Sequence, residues 1–465
     1  MKILVLNGSP KGDNSITLHT CRFLEKRFPD HKFSYLNVGQ RIKALEKDFL
    51  PAEEALKAAD LIVFCYPVYT FLVPSQLHRF IELMKASGID FKEKAASQVS
   101  TSKHFYDVTA HRFIKDNCAD MGFRYVDGLS ADMDDILTPK GRKQAIDWFE
   151  FMLWKLSRGE QKAANDVPKS TAKKAVIVAD LLPEDTTLKA MIDHFRDVFP
   201  YECDVINIED FPFMGGCLSC FNCAATGGCV YKDGFDDFLR NTIHKHDAIL
   251  YAFRIKDHSM GARFKMYDDR QFCNGHRTVT MGTPFGYLVE GDYSKEENLR
   301  LLLEARAQVG GNFLAGVATN EFDSDKDIDT LAATVAYAID KQYTPPQNFY
   351  GVGGMKIFRD LIYMMRGLMR ADHKFFKSHG QYDFPQKKWK TSWMTYSLVC
   401  AHKEQISAIV GRAEVADNKR LERTFVFKAV SPLYGHGIAK ATDVVGCLEG
   451  SDFVAGAVLL AGLID

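Results

Sequence analysis

The segment Gly8-Ser9-Pro10-Lys11-Gly12-Asp13-Asn14-Ser15-Ile16-Thr17 gathers hydroxyls, an amide and an ammonium between an apolar run, 3–6, and a helical pattern. A helix start offers unpaired N–H groups and a partial positive charge. Ser9, Lys11, Asn14, Ser15 and Thr17 add side-chain donors, Ile16 lies in the same turn, and Gly8 lets the backbone come close. That is the chemistry of holding a phosphate. The segment lacks G-x-x-x-x-G-K-[ST], which argues against a nucleoside-triphosphate loop. It also lacks the dinucleotide fingerprint G-x-G-x-x-G. What remains is a loop for one terminal phosphate, the need of FMN. The plainer alternative is a strand–turn–helix capped by Ser or Asn.

A second chemistry-bearing cluster is Cys217, Cys220, Cys223 and Cys229, spaced C-x2-C-x2-C-x5-C among Gly215, Gly216, Gly227 and Gly228. Four thiolates so close can wrap one compact centre, and thiolates suit iron–sulfur clusters or zinc. Three tightly spaced cysteines resemble a ferredoxin-like run more than paired zinc knuckles. Free or redox-active thiols are the third reading.

Elements must position these residues. Residues 1–155 alternate strand and helix patterns. Strands are expected at 2–7, 32–38, 60–66, 95–101 and 124–129, and helices near 15–28, 51–59, 74–86, 105–121 and 139–155. Such alternation implies a parallel sheet with helices on both faces. Ligands then sit beyond the C-terminal strand ends, where the strand order switches. Two further loops converge there. One is Tyr66-Pro67-Val68-Tyr69-Thr70-Phe71-Leu72-Val73-Pro74, with rings to face a flat ligand and N–H groups near 68–70 for its polar edge. The other is Ser100-Thr101-Ser102-Lys103-His104-Phe105, a second group of donors.

These three loops, GSPKGDNSIT, YPVYTFLVPSQLHRFIELM and STSKHFYD, resemble the flavin loops of the NAD(P)H-dependent FMN reductase family, which has a flavodoxin-like fold. The resemblance covers residues 1–155 in order and spacing. It implies that Ser9, Lys11, Asn14, Ser15, Ile16 and Thr17 surround the FMN phosphate. Pro67, Val68, Tyr69, Thr70 and Phe71 would line the isoalloxazine, and Ser100, Thr101, Ser102 and His104 would close its far side. Lys11-Gly12-Asp13 departs from the commoner arginine-rich loops. Cys65 reads as a buried strand residue. No catalytic acid or base is assigned, since hydride transfer belongs to the cofactor.

Residues 157–174 are polar and aperiodic, a linker. The rhythm then restarts with strands at 175–180, 203–208, 248–253, 284–290 and 313–318 and helices at 184–198, 236–242, 260–272, 294–309 and 326–341. The chain therefore reads as two tandem flavodoxin-like doubly wound domains, 1–156 and 173–343, followed by a C-terminal extension, 344–465. In the second domain Glu184 and Asp185 stand where a phosphate needs donors, so its own flavin-phosphate site is expected to be lost. The run Arg254-Ile255-Lys256-Asp257-His258 replaces the aromatic–proline loop. It is basic enough for a nicotinamide phosphate or an acidic substrate, or is plain solvated surface. The cysteine spacing is also similar to that of iron–sulfur flavoproteins, a flavodoxin-like group with one cluster per FMN domain. In the resembling families the flavin lies at a subunit interface. The expectation is a fused pseudo-dimer, free to oligomerise further, whose cysteine cluster faces the FMN of the first domain.

Residues 355–376 alternate apolar and basic positions at helical spacing. Packing against the domains is the first expectation for this helix, and contact with a membrane surface is the second. Gly351-Val352-Gly353-Gly354 follows no strand and is not a nucleotide loop. No role follows from 390–465, where Cys400 and Cys447 read as buried and 455–464 is apolar. The formal net charge of −1 argues against nucleic acid. No run reaches the length of a membrane span. Eleven cysteines behind an N-terminus that is already a strand pattern argue for a reducing, cytoplasmic setting without a secretory signal. The function expected is NAD(P)H oxidation through FMN, with a [4Fe-4S] cluster or zinc as the second centre, toward an unidentified small-molecule or protein acceptor. The alternatives are an electron carrier without its own turnover and a flavin-binding regulatory module at a membrane.

Overall fold

The computed structural model describes residues 1–158 and 168–384. Met1–Ala145 lies in one compact unit and Ile146–Tyr382 forms the other. The expectations for 390–465, with Cys400, Cys447 and the 455–464 run, fall outside the described residues, as does most of the 157–174 linker.

The first unit is built from β1 (Lys2–Asn7), α1 (Ile16–Arg27), β2 (Lys32–Leu36), α2 (Val38–Leu45), α3 (Leu50–Ala58), β3 (Leu61–Pro67), α4 (Ser75–Ala86), β4 (Ala95–Ser102), α5 (Asp107–Asp120), β5 (Arg124–Tyr125), β6 (Leu129–Asp132) and the start of α6 (Pro139–Arg158). The strands pair in parallel in the order β2-β1-β3-β4-β5, with β6 also on β4. This is the flavodoxin-like order, and its switch point lies between β1 and β3. Parallel strands covered on both faces need side chains that are apolar in both directions. Accordingly, Leu4, Leu6, Ile62 and Phe64 pack with Leu45, Leu56, Leu77 and Phe80. Strand alternation sends Ile3, Val5, Val63 and Cys65 to the opposite face, and all are buried.

Two differences from the expected elements have local causes. The fifth strand is split, because Gly128 lies against Gln98. A Cβ there would sit 2.4 Å from the Gln98 carbonyl oxygen. Helix α2 was not expected. Its N-cap residue, Asn37, makes no capping bond and instead accepts from the Asn7 side chain at 3.0 Å.

The second unit begins within α6, where Phe151 stacks on Tyr343 at 4.5 Å. It continues through β7 (Ser170–Ala179), α7 (Thr186–Val198), β8 (Tyr201–Asn207), α8 (Asn222–Thr226), α9 (Phe235–Asn241), β9 (Ala248–Arg254), α10 (Ala262–Arg270), β10 (Pro284–Glu290), α11 (Glu297–Gly310), β11 (Phe313–Thr319), α12 (Ser324–Lys341), α13 (Phe349–Met364) and α14 (Arg370–Ser378). Its parallel sheet runs β8-β7-β9-β10-β11, the same topology again. Ile177 and Leu250 pack against Leu188, Phe195 and Val335, while Val176, Ile249 and Tyr287 pack against Leu239, Phe264 and Leu303.

The single helix expected over 355–376 is two helices, α13 and α14, separated by a break that contains Gly367. Ile362, Met369 and Phe376 are buried together. Ile357, Met364 and Leu368 are exposed, and Arg359 is buried against Asp360. The glycines at 351, 353 and 354 lie inside α13, not in a loop. Among the described residues no helix is long and apolar enough to cross a membrane.

Candidate functional site

A cavity of about 300 Å³ opens at the switch point of the first sheet. It is lined by Ser9, Lys11, Ser15, Ile16 and Thr17 after β1, by Pro67, Val68, Tyr69, Thr70 and Phe71 after β3, and by Thr101 and Ser102 at the end of β4. The three loops thus meet in one place.

Asn7 organises the first loop. Its amide donates to the Gly12 carbonyl at 2.9 Å, and its side-chain oxygen accepts from the Ser9 N–H at 3.2 Å. Ser15 caps α1 by accepting from Leu18 N–H at 3.4 Å. The Ile16 and Thr17 N–H groups find no acceptor among the described contacts, as expected in a first helical turn. Thr17 and Thr101 share a hydroxyl–hydroxyl bond of 2.6 Å that ties the first loop to the third. A helix start, three hydroxyls and the Lys11 ammonium therefore meet at one end of the cavity, a donor set that fits a phosphate.

The second loop is a two-residue turn. Tyr69 and Leu72 exchange backbone hydrogen bonds of 2.8 and 3.0 Å, with Thr70 at φ +46° and Phe71 at φ +70°. A β-branched and an aromatic residue in the left-handed region cost of order 1–3 kcal/mol each, a strain typical of ligand sites. The Val68 N–H is spent on the Thr101 carbonyl and the Tyr69 N–H on Leu72. That leaves the Thr70 and Phe71 amides for a ligand edge, rather than the 68–70 set expected.

Three residues expected at the site do not line the cavity. Asn14 is exposed at the outer edge of its loop. Strand alternation turns Thr101 to the cavity and Ser100 away, onto a ring nitrogen of His111 at 2.8 Å. His104, held at φ +61°, buries its ring against Asp107 at 3.0 Å, and Asp107 also accepts from Ser130 at 2.7 Å. His104 therefore braces the loop. Cys65 is fully buried and its thiol pKa is pushed well up by burial, so it stays protonated. Lys103 and Phe105, from the loop expected to supply the second group of donors, also line the cavity, and so does Met133, which the sequence does not single out. Lys103 is held by Asp132 and Asp134 at 2.7 and 2.8 Å. Phe71, Phe105 and Tyr106 form a half-exposed aromatic rim, with ring centroids 4.8–5.3 Å apart.

His111, the partner of Ser100, makes this unit acid-sensitive. Burial lowers its pKa from 6.5 to about 4. Between those values the unfolded chain binds a proton that the folded chain does not, so stability falls as pH drops through that window. The expected loss is on the order of 2 kcal/mol, allowing for partial contact with solvent. His111→Gln keeps a partner for Ser100 and should flatten the fall in melting temperature between pH 7 and 4. The slope that remains belongs to residues such as His244, also depressed to about 4 by burial.

The second unit repeats the strained turn. Lys256 and Ser259 exchange bonds of 2.9 Å, with Asp257 at φ +49° and His258 at φ +62°. Its first loop is closed, however. Asp185 is buried, accepts from Leu182 N–H at 2.8 Å, and faces Arg254 at 2.7 Å, where the first unit has its phosphate donors. Arg254 also meets Glu290 at 3.1 Å, and His258 meets Glu296 at 3.1 Å. The basic character of this loop is thus largely spent on carboxylates.

The cysteine loop leaves Cys217 and Cys220 exposed, with Cys223 and Cys229 half-buried. Among the described residues no three His, Cys, Asp or Glu side chains converge to hold a metal ion. The donor chemistry suits a cluster, but the arrangement does not gather it. The loop is anchored by Arg270, which is 1% exposed. It pairs with Asp233 through two 2.8 Å bonds and donates to the Gly215 carbonyl at 2.8 Å.

Residues 1–115 match the model of a family described as NADPH-dependent FMN reductase. The iron-sulfur flavoprotein of Archaeoglobus fulgidus is 29% identical over 173 residues, which span 35% of this chain and 78% of that protein. Among solved structures, an FMN-dependent NADH-azoreductase from Bacillus anthracis in complex with FMN is 14% identical, covering 34% of this chain and 99% of that one, with a TM-score of 0.26. An NAD(P)H:quinone oxidoreductase from Methanothermobacter marburgensis is 11% identical, covering 34% and 94%, with a TM-score of 0.26.

Proposed function

We propose that this chain is an FMN-dependent oxidoreductase that takes hydride from NADH or NADPH and passes electrons to an acceptor. The observation that carries this reading is the meeting of the three loops on one cavity, with phosphate donors at one end and aromatic rings at the other. The family match falls on the same part of the chain. When bound, FMN supplies a ring that accepts hydride and releases electrons. The chain positions it. Ser9, Ser15, Thr17 and the Ile16 and Thr17 amides hold the phosphate, with Lys11 offsetting its charge. The Thr70 and Phe71 amides meet the ring's polar edge. The rim of Phe71, Phe105 and Tyr106 offers a flat nicotinamide a stacking surface and keeps water off it.

A finer reading, that the four cysteines hold an iron–sulfur centre, draws support from their spacing and from the name of the 29% identical relative. Iron and acid-labile sulfide measured per chain decide it, and no electron step is assigned to the thiols.

Anaerobically purified protein is expected to hold one FMN per chain, not two, because Asp185 and Arg254 fill the corresponding place in the second unit. It should oxidise NADH or NADPH when a quinone or free flavin is supplied. FMN without any nicotinamide oxidation would favour the electron-carrier reading. Failure to bind added FMN would overturn both.

A further inference from the structure

We infer that the second unit holds a separate binding site for a small planar aromatic carboxylate, in a cavity at the N-terminal edge of its sheet. The cavity measures about 400 Å³, within the range of small-molecule sites. Its walls include Tyr251 of β9, Phe285 and Tyr287 of β10, Phe264 of α10, Arg306 of α11, and His244. Thr280 and Asn312, just before β10 and β11, also line it. The cavity therefore lies at the strand starts, at the opposite end of the sheet from the place where doubly wound folds take their usual ligand. It is not a remnant of a flavin site, and the inference does not rest on the flavin reading.

The polar groups define the ligand. Tyr251 and Tyr287 are 5% and 4% exposed, and their rings lie 5.4 Å apart. Neither hydroxyl makes a hydrogen bond among the described residues, and both residues line the cavity. The neighbouring Tyr267 hydroxyl, in contrast, is enclosed without a partner. Burial pushes the Tyr251 and Tyr287 pKa values far up, so both remain O–H donors, and each feels the Arg306 guanidinium. Arg306 gives one nitrogen to Asp268, and its other N–H groups make no bond within the described chain. The tyrosine hydroxyls and Arg306 form a donor side of this wall, with the Asp268 carboxylate and the neutral His244 ring as its acceptors, and a carboxylate, an acceptor with two oxygens, fits the donor side. Asp268 already balances most of the Arg306 charge, which favours a single negative charge over a phosphate dianion. The phenyl groups of Phe264 and Phe285 supply the faces for a flat ring.

The test uses the full-length, FMN-loaded chain and 2-naphthoate, followed by calorimetric titration. Saturable one-site binding is expected. It should weaken at least about tenfold in Tyr251→Phe/Tyr287→Phe and for the uncharged 2-naphthalenemethanol on the wild-type protein. The double variant removes only unpartnered hydroxyls, so it should melt at or above the wild-type temperature. Four results would overturn the inference. These are no saturation below about 1 mM, equal affinity in the double variant, displacement of naphthoate by excess FMN, or a lower melting temperature for the double variant, which would mean the hydroxyls are already spent inside the fold.

Discussion

Gly39→Ala is expected to lower FMN affinity by about 100-fold, close to 3 kcal/mol. Gly39 lies in α2 and is buried beneath the phosphate loop. A Cβ built there would stand 2.3 Å from the Ser9 carbonyl oxygen, 2.4 Å from the Ser9 carbonyl carbon and 2.7 Å from the Gly8 oxygen. All three are backbone atoms, so no side chain can swing away, and the loop itself must move. Displacing Ser9 breaks its bond to Asn7 and shifts the hydroxyls that would meet the phosphate. Gly8→Ala should disturb the loop too, because the Cβ there would stand 2.8 Å from the Leu77 Cβ, which is fixed to α4 and fully buried. The experiment separates contact from propensity. Alanine favours a helix over glycine by roughly 0.5–1 kcal/mol, so without the contact the variant would be slightly more stable. Flavin fluorescence quenching on apoprotein gives the affinity. Wild-type FMN affinity in Gly39→Ala would mean that the 8–17 loop does not hold the phosphate.

Gly39 also marks the limit of what the sequence could disclose. The strands were legible because parallel strands covered on both faces read as unbroken apolar runs, such as Ile3 to Leu6 and Leu61 to Phe64. The three loops were legible because hydroxyls, glycines and aromatics followed those runs directly. Helix α2 was not, because its capping-type residue, Asn37, is engaged by Asn7 thirty positions away. The orientation of single loop residues was equally hidden. Ser100 and Thr101 are adjacent and chemically alike, and only the pleat decides that Thr101 lines the cavity while Ser100 supports it. His104 was a plausible ligand-facing group until its left-handed backbone turned it onto Asp107. Tyr251 and Tyr287 read as ordinary strand aromatics, since nothing in a sequence reports an absent hydrogen-bond partner. Closure of the second phosphate loop was visible in part. Glu184 and Asp185 announced the wrong charge, but the partner, Arg254, is 69 positions further on.

Arg270→Met is expected to cost the second unit about 3–5 kcal/mol, the range for breaking a buried ion pair by removing one partner. Arg270 and Asp233 are 1% and 2% exposed and joined by two bonds. The guanidinium also lies 4.5 Å from the Tyr231 ring centre and 5.2 Å from that of Phe235, so a cation–π contribution is lost with it. What makes the loss large is the stranded carboxylate. Hydrogen bonds from Arg270 hold Asp233 at about pKa 2, against 3.8 ordinarily. A carboxyl depressed in the folded state contributes stability above its unfolded pKa and loses it as pH falls through the folded one. The gap between wild type and variant should therefore be widest near neutral pH and narrow as pH falls from about 4 to 2, the window in which the wild type loses what its ionised carboxylate contributes. Arg270→Met/Asp233→Asn should recover part of the loss, because it removes the stranded charge and the amide oxygen still accepts from one of the Met214 and Phe235 N–H groups, which bond to different oxygens of Asp233. Melting temperatures at pH 7 and 3 check both statements. The cysteine loop supplies an independent readout. Without Arg270 the Gly215 carbonyl loses its donor two residues before Cys217. Cys217 and Cys220 are already exposed, so an added thiol reagent should find them quickly in either protein. Cys223 and Cys229 should join them only in the variant. An unchanged thiol count together with an unchanged melting temperature would mean that the ion pair does not hold this loop in place.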